Sequence, residues 1–390
     1  LGRASVAIGD GASAEKELRR AIELGVDSGE VLVDLGRALL QQRKFDLVLT
    51  EIVTDAANEA DQIDVLRIRA EALLGLGRPA EARESFSQVL ALDASDLEAK
   101  LGIVNTYIAE RAVLNARETL NQILADHEDY IPGLQLSGVL SMQLRDANRA
   151  IVDFGRAAEL ARASGDTRNE IAALYGLTDA NFSQAKSDEV RPIIERMQEL
   201  APDDSRTLMT IARLAAADKD WVAAQENLQK VLRQSPDSQP AQTLMGAVQL
   251  ESGNLRQAEM YLSAAVAAGP GNTLARRLLA ETRLALNKAE AARQVLEPLT
   301  SGANTDTVSL LMAAAASLRL GEVDAAVELL ERSVAADPAS IDLKMRLAIA
   351  YFKNGQLDEV RRVVDSMPDM SGESNEFRRD MLLVFTQMAD

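Results

Sequence analysis

The chain has 390 residues, with 42 Lys and Arg against 60 Asp and Glu, a formal net charge of -18, and no cysteine. An acidic surface repels nucleic acid and anionic lipid, whose phosphates need clustered Lys and Arg. A chain without thiols forms no disulfide, no thiolate nucleophile and no Cys-based zinc site. Hydrophobic residues reach 47% while aromatics reach only 3%, so Ala and Leu carry the apolar content and the composition is that of an all-α protein. No window approaches the run of about 18 apolar residues that a membrane-spanning helix needs.

From the N-terminus, the sequence opens half-way along a helix. Leu1-Gly2 stand in the middle of a pattern whose later parts are Ala14, Leu18 and Ala21. "LGRASVAIGDG" has no charged region followed by an apolar one, so the expectation is a piece of a longer protein whose targeting segment lies upstream. One pattern then returns every 34 residues. Units start near 29, 63, 97 and 131, and again near 171, 205, 239, 273, 307 and 341; only the step from 131 to 171 is longer, at 40 residues.

Within each unit, position 8 is small (Gly36, Ala70, Gly138, Ala212, Gly246, Ala280) and position 20 is Ala (Ala82, Ala116, Ala150, Ala224, Ala258). Position 24 is large and apolar (Phe86, Leu120, Phe154, Leu228, Leu262), and Pro202, Pro236, Pro270 and Pro338 occupy position 32. The period predicts two helices of about 13 residues, A and B, joined by a tight turn. Small residues at 8 and 20 let A and B approach, and residue 24 fills the gap beside them. Gly77, Gly253, Gly321 and Gly355 fall at the A-to-B turn, where a left-handed residue closes helix A.

In the long step, "ASGDTRN" predicts a helix B running to about Ala163, a turn at Ser164-Gly165-Asp166 and a helix A that starts early. The insert reads as a joint with a local change of twist. It separates an N-terminal sub-array (1–163) from a C-terminal one (170–374), with 164–169 between them. Pro192 predicts a late start or a mild kink in its helix B, and Pro298 a similar irregularity. Trp221 shares an apolar column with Phe45, Leu255 and Val323, which is a packing position. His127 lies in the polar turn "LADHEDY", and with no partner at metal spacing it reads as a surface residue. At the end, "SNEFRRDMLLVFTQMAD" predicts a single helix over 375–390, a cap or a cut repeat.

These recurring positions resemble the tetratricopeptide repeat family across nearly the whole chain. The resemblance implies an all-α, right-handed superhelix (an αα-solenoid) of about ten full repeats after a partial first one, with binding on a concave face lined by helix-A positions 2, 5, 9 and 12. At those positions the candidates for a protein-binding groove are Arg37, Glu71, Asn105, Met142, Tyr175, Asp179, Phe182, Met209, Arg213, Glu281, Met345 and Phe352. Met and aromatic anchors among charges suit an extended or helical segment of a partner. Some relatives grip a C-terminal carboxylate with Lys at 5 and Asn at 9. Here Asn105 goes with Leu101, and Arg67 with Glu71, so that clamp is absent.

Chemistry has few carriers. One His makes a Ser-His-Asp triad improbable, "GLGRPAE" and "AAGPGNT" lack a phosphate-loop lysine, and the abundant carboxylates sit in i,i+4 pairs such as "EKELRR". The expectation is a non-catalytic scaffold without a cofactor or metal. Ala- and Leu-rich arrays such as "LSGVLSMQLRDANRAIVDFGRAAEL" further resemble the bacterial PEP-CTERM/exosortase-system tetratricopeptide lipoproteins of the PrsT type. That resemblance implies a periplasmic or outer-membrane-anchored protein, with a lipid anchor upstream, serving exopolysaccharide export or protein sorting. A cytoplasmic adaptor or co-chaperone, and a self-associating array that forms homo-oligomers, stand as alternatives.

Overall fold

The computed structural model describes residues 1–53, 59–302 and 306–367; the helix expected over 375–390 lies outside them. Among the described residues there are 22 helices and no strand. The contacts divide the chain into two compact units, Leu1–Ala201 and the remainder from Pro202.

The first unit holds α1 (Gly2–Ile8), α2 (Gly11–Glu23), α3 (Ser28–Gln41), α4 (Phe45–Glu51), α5 (Glu59–Gly75), α6 (Pro79–Leu92), α7 (Leu97–Ala109), α8 (Val113–Asp126), α9 (Ile131–Gln143), α10 (Ala147–Ser164), α11 (Thr167–Ser183) and α12 (Ser187–Leu200). The second holds α13 (Ser205–Ala217), α14 (Trp221–Gln234), α15 (Gln239–Glu251), α16 (Leu255–Ala268), α17 (Thr273–Ala285), α18 (Ala289–Thr300), α19 (Thr307–Leu320), α20 (Val323–Ala336), α21 (Ile341–Lys353) and α22 (Leu357–Asp365). Odd-numbered helices are A and even-numbered are B. Within each unit every helix packs on its sequence neighbours, and most helices A also touch the next helix A. That is the αα-solenoid arrangement the 34-residue period predicts.

The core follows the repeat columns. Ala82, Ala116, Ala150, Ala224, Ala258, Ala292 and Ala326 at position 20 are fully buried, and Phe86, Leu120, Phe154, Leu228, Leu262, Leu296 and Leu330 at position 24 are nearly so. Smallness at position 8 has a direct cause: a Cβ added to Gly246 would stand 2.4 Å from Leu262 Cγ. Val190 replaces the usual Ala and is still fully buried, and α12 begins at the ordinary place despite Pro192 inside it.

Helix ends show which residues stop each helix. Asp27, Asp96, Asp166, Asp204, Asn272, Asp306 and Ser340 precede helices A and accept a backbone N–H of the first turn. Every A-to-B turn passes through a left-handed residue at position 15. Glycine takes it at Gly9, Gly77, Gly253, Gly321 and Gly355, but Arg43, Arg111, Arg145, Ala185, Lys219 and Asn287 take it too, at φ of 56–62°. For a side chain with a Cβ this conformation costs roughly 1–2 kcal/mol. Sequence reading located the glycine turns and passed over the six strained ones.

The six extra residues are absorbed by helix growth. Compared with α6 and α7, which have 14 and 13 residues, α10 has 18 and α11 has 17, while the four-residue turn between them shrinks to Gly165-Asp166. Gly165 caps α10 in the left-handed conformation and Asp166 caps α11. The longer helices α10 and α11 pack over a longer interface, and one contact of the ordinary junction is kept. The Phe154 ring stands 2.4 Å from a Cβ built on Gly176, the same spacing that Phe86 keeps to Gly102. The extension of α11 is tied down by buried Glu170, which accepts from Arg196 Nε at 2.7 Å.

Candidate functional site

Positions 2, 5, 9 and 12 of a helix A fall on one stripe, because residues three and four apart are neighbours on a helix surface. In the first unit that stripe is ionic. Arg3 donates to Asp34 at 2.6 Å, and Arg37 reaches back to Asp34 at 3.9 Å and across to Asp64 at 3.1 Å. Arg67 binds Asp64 on its own helix and, on the next, Asp96 at 3.5 Å and Glu98. The result is a ladder of alternating charge running from α1 through α3 and α5 to α7. Asp96 does two jobs, capping α7 and ending the ladder.

Glu71 lies within this ladder but is not hydrogen-bonded into it. Its side chain reaches solvent, yet its pKa is raised, first by the surrounding protein mass that excludes water and then by the charge of Glu98; Arg67 and Arg37 pull the other way.

Of the sequence candidates, Arg37, Glu71 and Asn105 come together, exposed at position 9 of three successive helices A. The position-12 residues Leu40, Leu74, Ile108, Met142, Phe182, Ala216, Leu250, Leu284, Leu318 and Phe352 are all half-buried. Met142 leans on the cluster around Phe154, and Phe352 on the cluster around Tyr351. Tyr175, Asp179 and Phe182 share α11 and are half-buried, with Tyr175 against Ile171, Leu174 and Met197. Met209 and Met345 are only 6% and 8% exposed, so they belong to the core and offer a ligand little surface. Arg213 is half-buried and Glu281 exposed, each on its own helix of the second unit. Asp64, Asp96 and Glu98 escaped sequence reading. The signal for them was an acidic residue one position before, or at position 2 of, helices that follow an Arg at 5 or 9.

In the second unit the same stripe is mixed: Arg277 at position 5 pairs with Asp306 at 2.5 Å, before the next helix A, and apolar side chains stand beside it. Leu274 and Val308 at position 2 and Ile349 at position 9 are 58%, 52% and 42% exposed, and Ala315 is exposed between them. Among the described residues no three His, Asp or Glu side chains gather in a metal-holding group, and no helix is long and apolar enough to cross a membrane.

No curated protein matches the chain. Among solved structures, MamA is 19% identical over 42% of this chain and 88% of its own, with a TM-score of 0.39. The Cut9-Hcn1 hetero-tetramer of the APC/C is 14% identical over 99% of this chain and 88% of its own, at 0.44. YrrB is 16% identical over 50% of this chain and 97% of its own, at 0.42. Family profiles described as tetratricopeptide repeat match residues 1–47, 73–136, 215–269, 249–315 and 317–378. With more than half of its length matched and the 34-residue columns buried as that repeat requires, the chain belongs to the tetratricopeptide repeat family.

Proposed function

We propose that the chain is a non-catalytic scaffold whose helix-A face holds an extended or helical segment of a protein partner. The observation that carries the proposal is the row Arg37, Glu71 and Asn105, exposed on three consecutive helices above the half-buried apolar row Leu40, Leu74 and Ile108. Spaced polar groups fix the orientation and register of a bound segment, and the apolar row beside them supplies contact area. Glu71 is the group most ready for a donor. A peptide N–H or a cationic side chain brought to it would stabilise the ionised carboxylate that the protein alone disfavours.

The test is capture of partners from an extract of the source organism by the full chain, followed by Arg37→Glu, Glu71→Lys and Arg213→Glu. The first two variants should lower capture several-fold with little change in melting temperature, because exposed ion pairs add only about 0–1 kcal/mol. Capture that survives them unchanged places the binding face elsewhere. Loss with Arg213→Glu assigns a part in capture to the second unit as well.

We further infer a bacterial envelope setting of the PrsT type, serving exopolysaccharide export or exosortase-linked sorting. The aromatic-poor, Ala- and Leu-rich composition supports it. Fractionation and palmitate labelling of the full-length protein in its host test this setting. Unlabelled protein recovered with the cytoplasm would favour the adaptor reading. A mass that rises with concentration in light scattering would favour self-association.

A further inference from the structure

Where helix A of one repeat meets helix B of the repeat before it, positions 7 and 11 of helix A form the floor of a cleft between consecutive helices B. In most repeats position 11 carries a longer side chain: Leu39, Leu73, Tyr107, Asn181, Gln249, Arg283 and Tyr351. In two repeats both floor residues are small: Ser137 and Ser141 on α9, Ala313 and Ser317 on α19. Open clefts of about 220 and about 460 Å³ stand at those two places.

The filled clefts show what the empty ones are built to hold. At α7 the occupant is Tyr107, and Arg83, at position 21 of the preceding repeat, lies 4.3 Å over the ring centroid. At α21 the occupant is Tyr351, whose hydroxyl donates to Glu331, at position 25 of the preceding repeat, at 2.5 Å. The empty clefts keep both partner positions. Arg117 and Asn121 line the first, and Arg293 and Glu297 line the second. Arg117 and Arg293 stand at the position of Arg83; Asn121 and Glu297 stand at that of Glu331. Each floor is buried and carries a serine hydroxyl, with Ser141 3% and Ser317 1% exposed, and the Ser317 hydroxyl has no hydrogen-bond partner. An apolar cavity of roughly 150 Å³ already holds benzene, so either cleft has room for a phenol ring.

We propose that these two clefts are receptors for aromatic side chains, tyrosine above all, of a bound protein. The guest ring takes the place that Tyr107 and Tyr351 fill elsewhere in the array, with an arginine at position 21 on its face and the position-25 side chain accepting from its hydroxyl. These sockets lie on the helix-B side and do not depend on the helix-A groove. Aromatic anchors seated in preformed pockets are the contacts that dominate many protein interfaces.

The test uses the full chain with p-cresol and with capped tyrosine amide as probes, followed by calorimetry and NMR. Wild type should bind two equivalents, and capped tyrosine should bind at least tenfold more tightly than capped alanine. Ser141→Tyr and Ser317→Tyr should each remove one site, raise the melting temperature and together abolish binding. If a Tyr variant does not fold, Ser141→Leu and Ser317→Leu, which copy Leu39 and Leu73 at the same position, serve instead. Ser141→Ala should leave both sites open. The absence of saturable binding by wild type, or a double variant that binds like wild type, overturns the proposal.

Discussion

The two units follow one repeat pattern yet differ in how far charge runs along their helices A. In the first, Asp34, Arg37, Asp64, Arg67 and Asp96 interlock from helix to helix. In the second, one such pair, Arg277–Asp306, stands beside the exposed Leu274, Val308, Ala315 and Ile349. Their cores are nearly interchangeable, because positions 8, 20 and 24 must satisfy the same packing in both. The repeat therefore separates the positions that fold the chain from a surface stripe that varies, because exposed pairs contribute little to stability.

The largest expected effect tests whether the units stand apart energetically. Phe154→Ala removes a ring held between Gly138 and Gly176 and should cost about 3–5 kcal/mol. Since each repeat leans mainly on its neighbours, hydrogen exchange should speed up before Ala201 and hold steady beyond Pro202. Equal acceleration in both would show that they unfold together. Next in size is Gly102→Ala, whose new methyl would lie 2.4 Å from the Phe86 ring; a loss of about 1–3 kcal/mol in denaturant unfolding is expected.

The turns give a smaller, two-sided comparison. Ala185→Gly in the first unit relieves a left-handed alanine and should raise stability by about 0.5–1 kcal/mol, while Gly253→Ala in the second should lower it by about 1 kcal/mol. Matching signs for the two would refute the assignment of strain to position 15.

Titration of the first unit should show two opposite carboxylates. Lys44, with help from Gln42 and Arg19, holds the Glu15 carboxyl at about 2, below its ordinary 4.5. A depressed acid stabilises the fold above the unfolded value, so that contribution fades as pH falls from about 4.5 toward 2. Glu71 is raised, so its ionisation works against folding at neutral pH and the penalty lifts as pH falls through its folded value. Glu71→Gln should therefore raise the melting temperature slightly at pH 7 while weakening partner capture, and Glu15→Gln should lower it. The smallest effect is that of salt. Screening the Arg37–Asp64 pair of the first unit, or the Arg277–Asp306 pair of the second, should cost less than about 1 kcal/mol each.

Much of this was legible in the primary structure because each repeat restates the same packing problem. Ala at 20 and a large residue at 24 recur in phase, so weak signals add. The insertion was also readable, since Gly165 and Asp166 are ordinary cap residues. The strained turns were hidden. Arg, Ala and Lys carry no local preference for a left-handed backbone, and the repeat geometry imposes it on them. Met209 and Met345 looked like groove anchors because position 5 borders both groove and core; their burial depends on how closely neighbouring helices approach. The ladder was missed because its acidic members lie on the adjoining helix, some 27 to 31 residues from their arginines, as Asp64 does from Arg37 and Glu98 from Arg67.

The contact between Phe154 and Gly176 has a practical consequence. Phe86 meets Gly102 after 16 residues, Phe154 meets Gly176 after 22, and the geometry is the same. The junction from one repeat to the next can thus change length and still keep this contact. An epitope or protease cleavage sequence spliced at Gly165 should leave the protein folded, and the same cassette placed inside α10 should not. That makes the joint a natural point for cutting or labelling the chain between intact repeats.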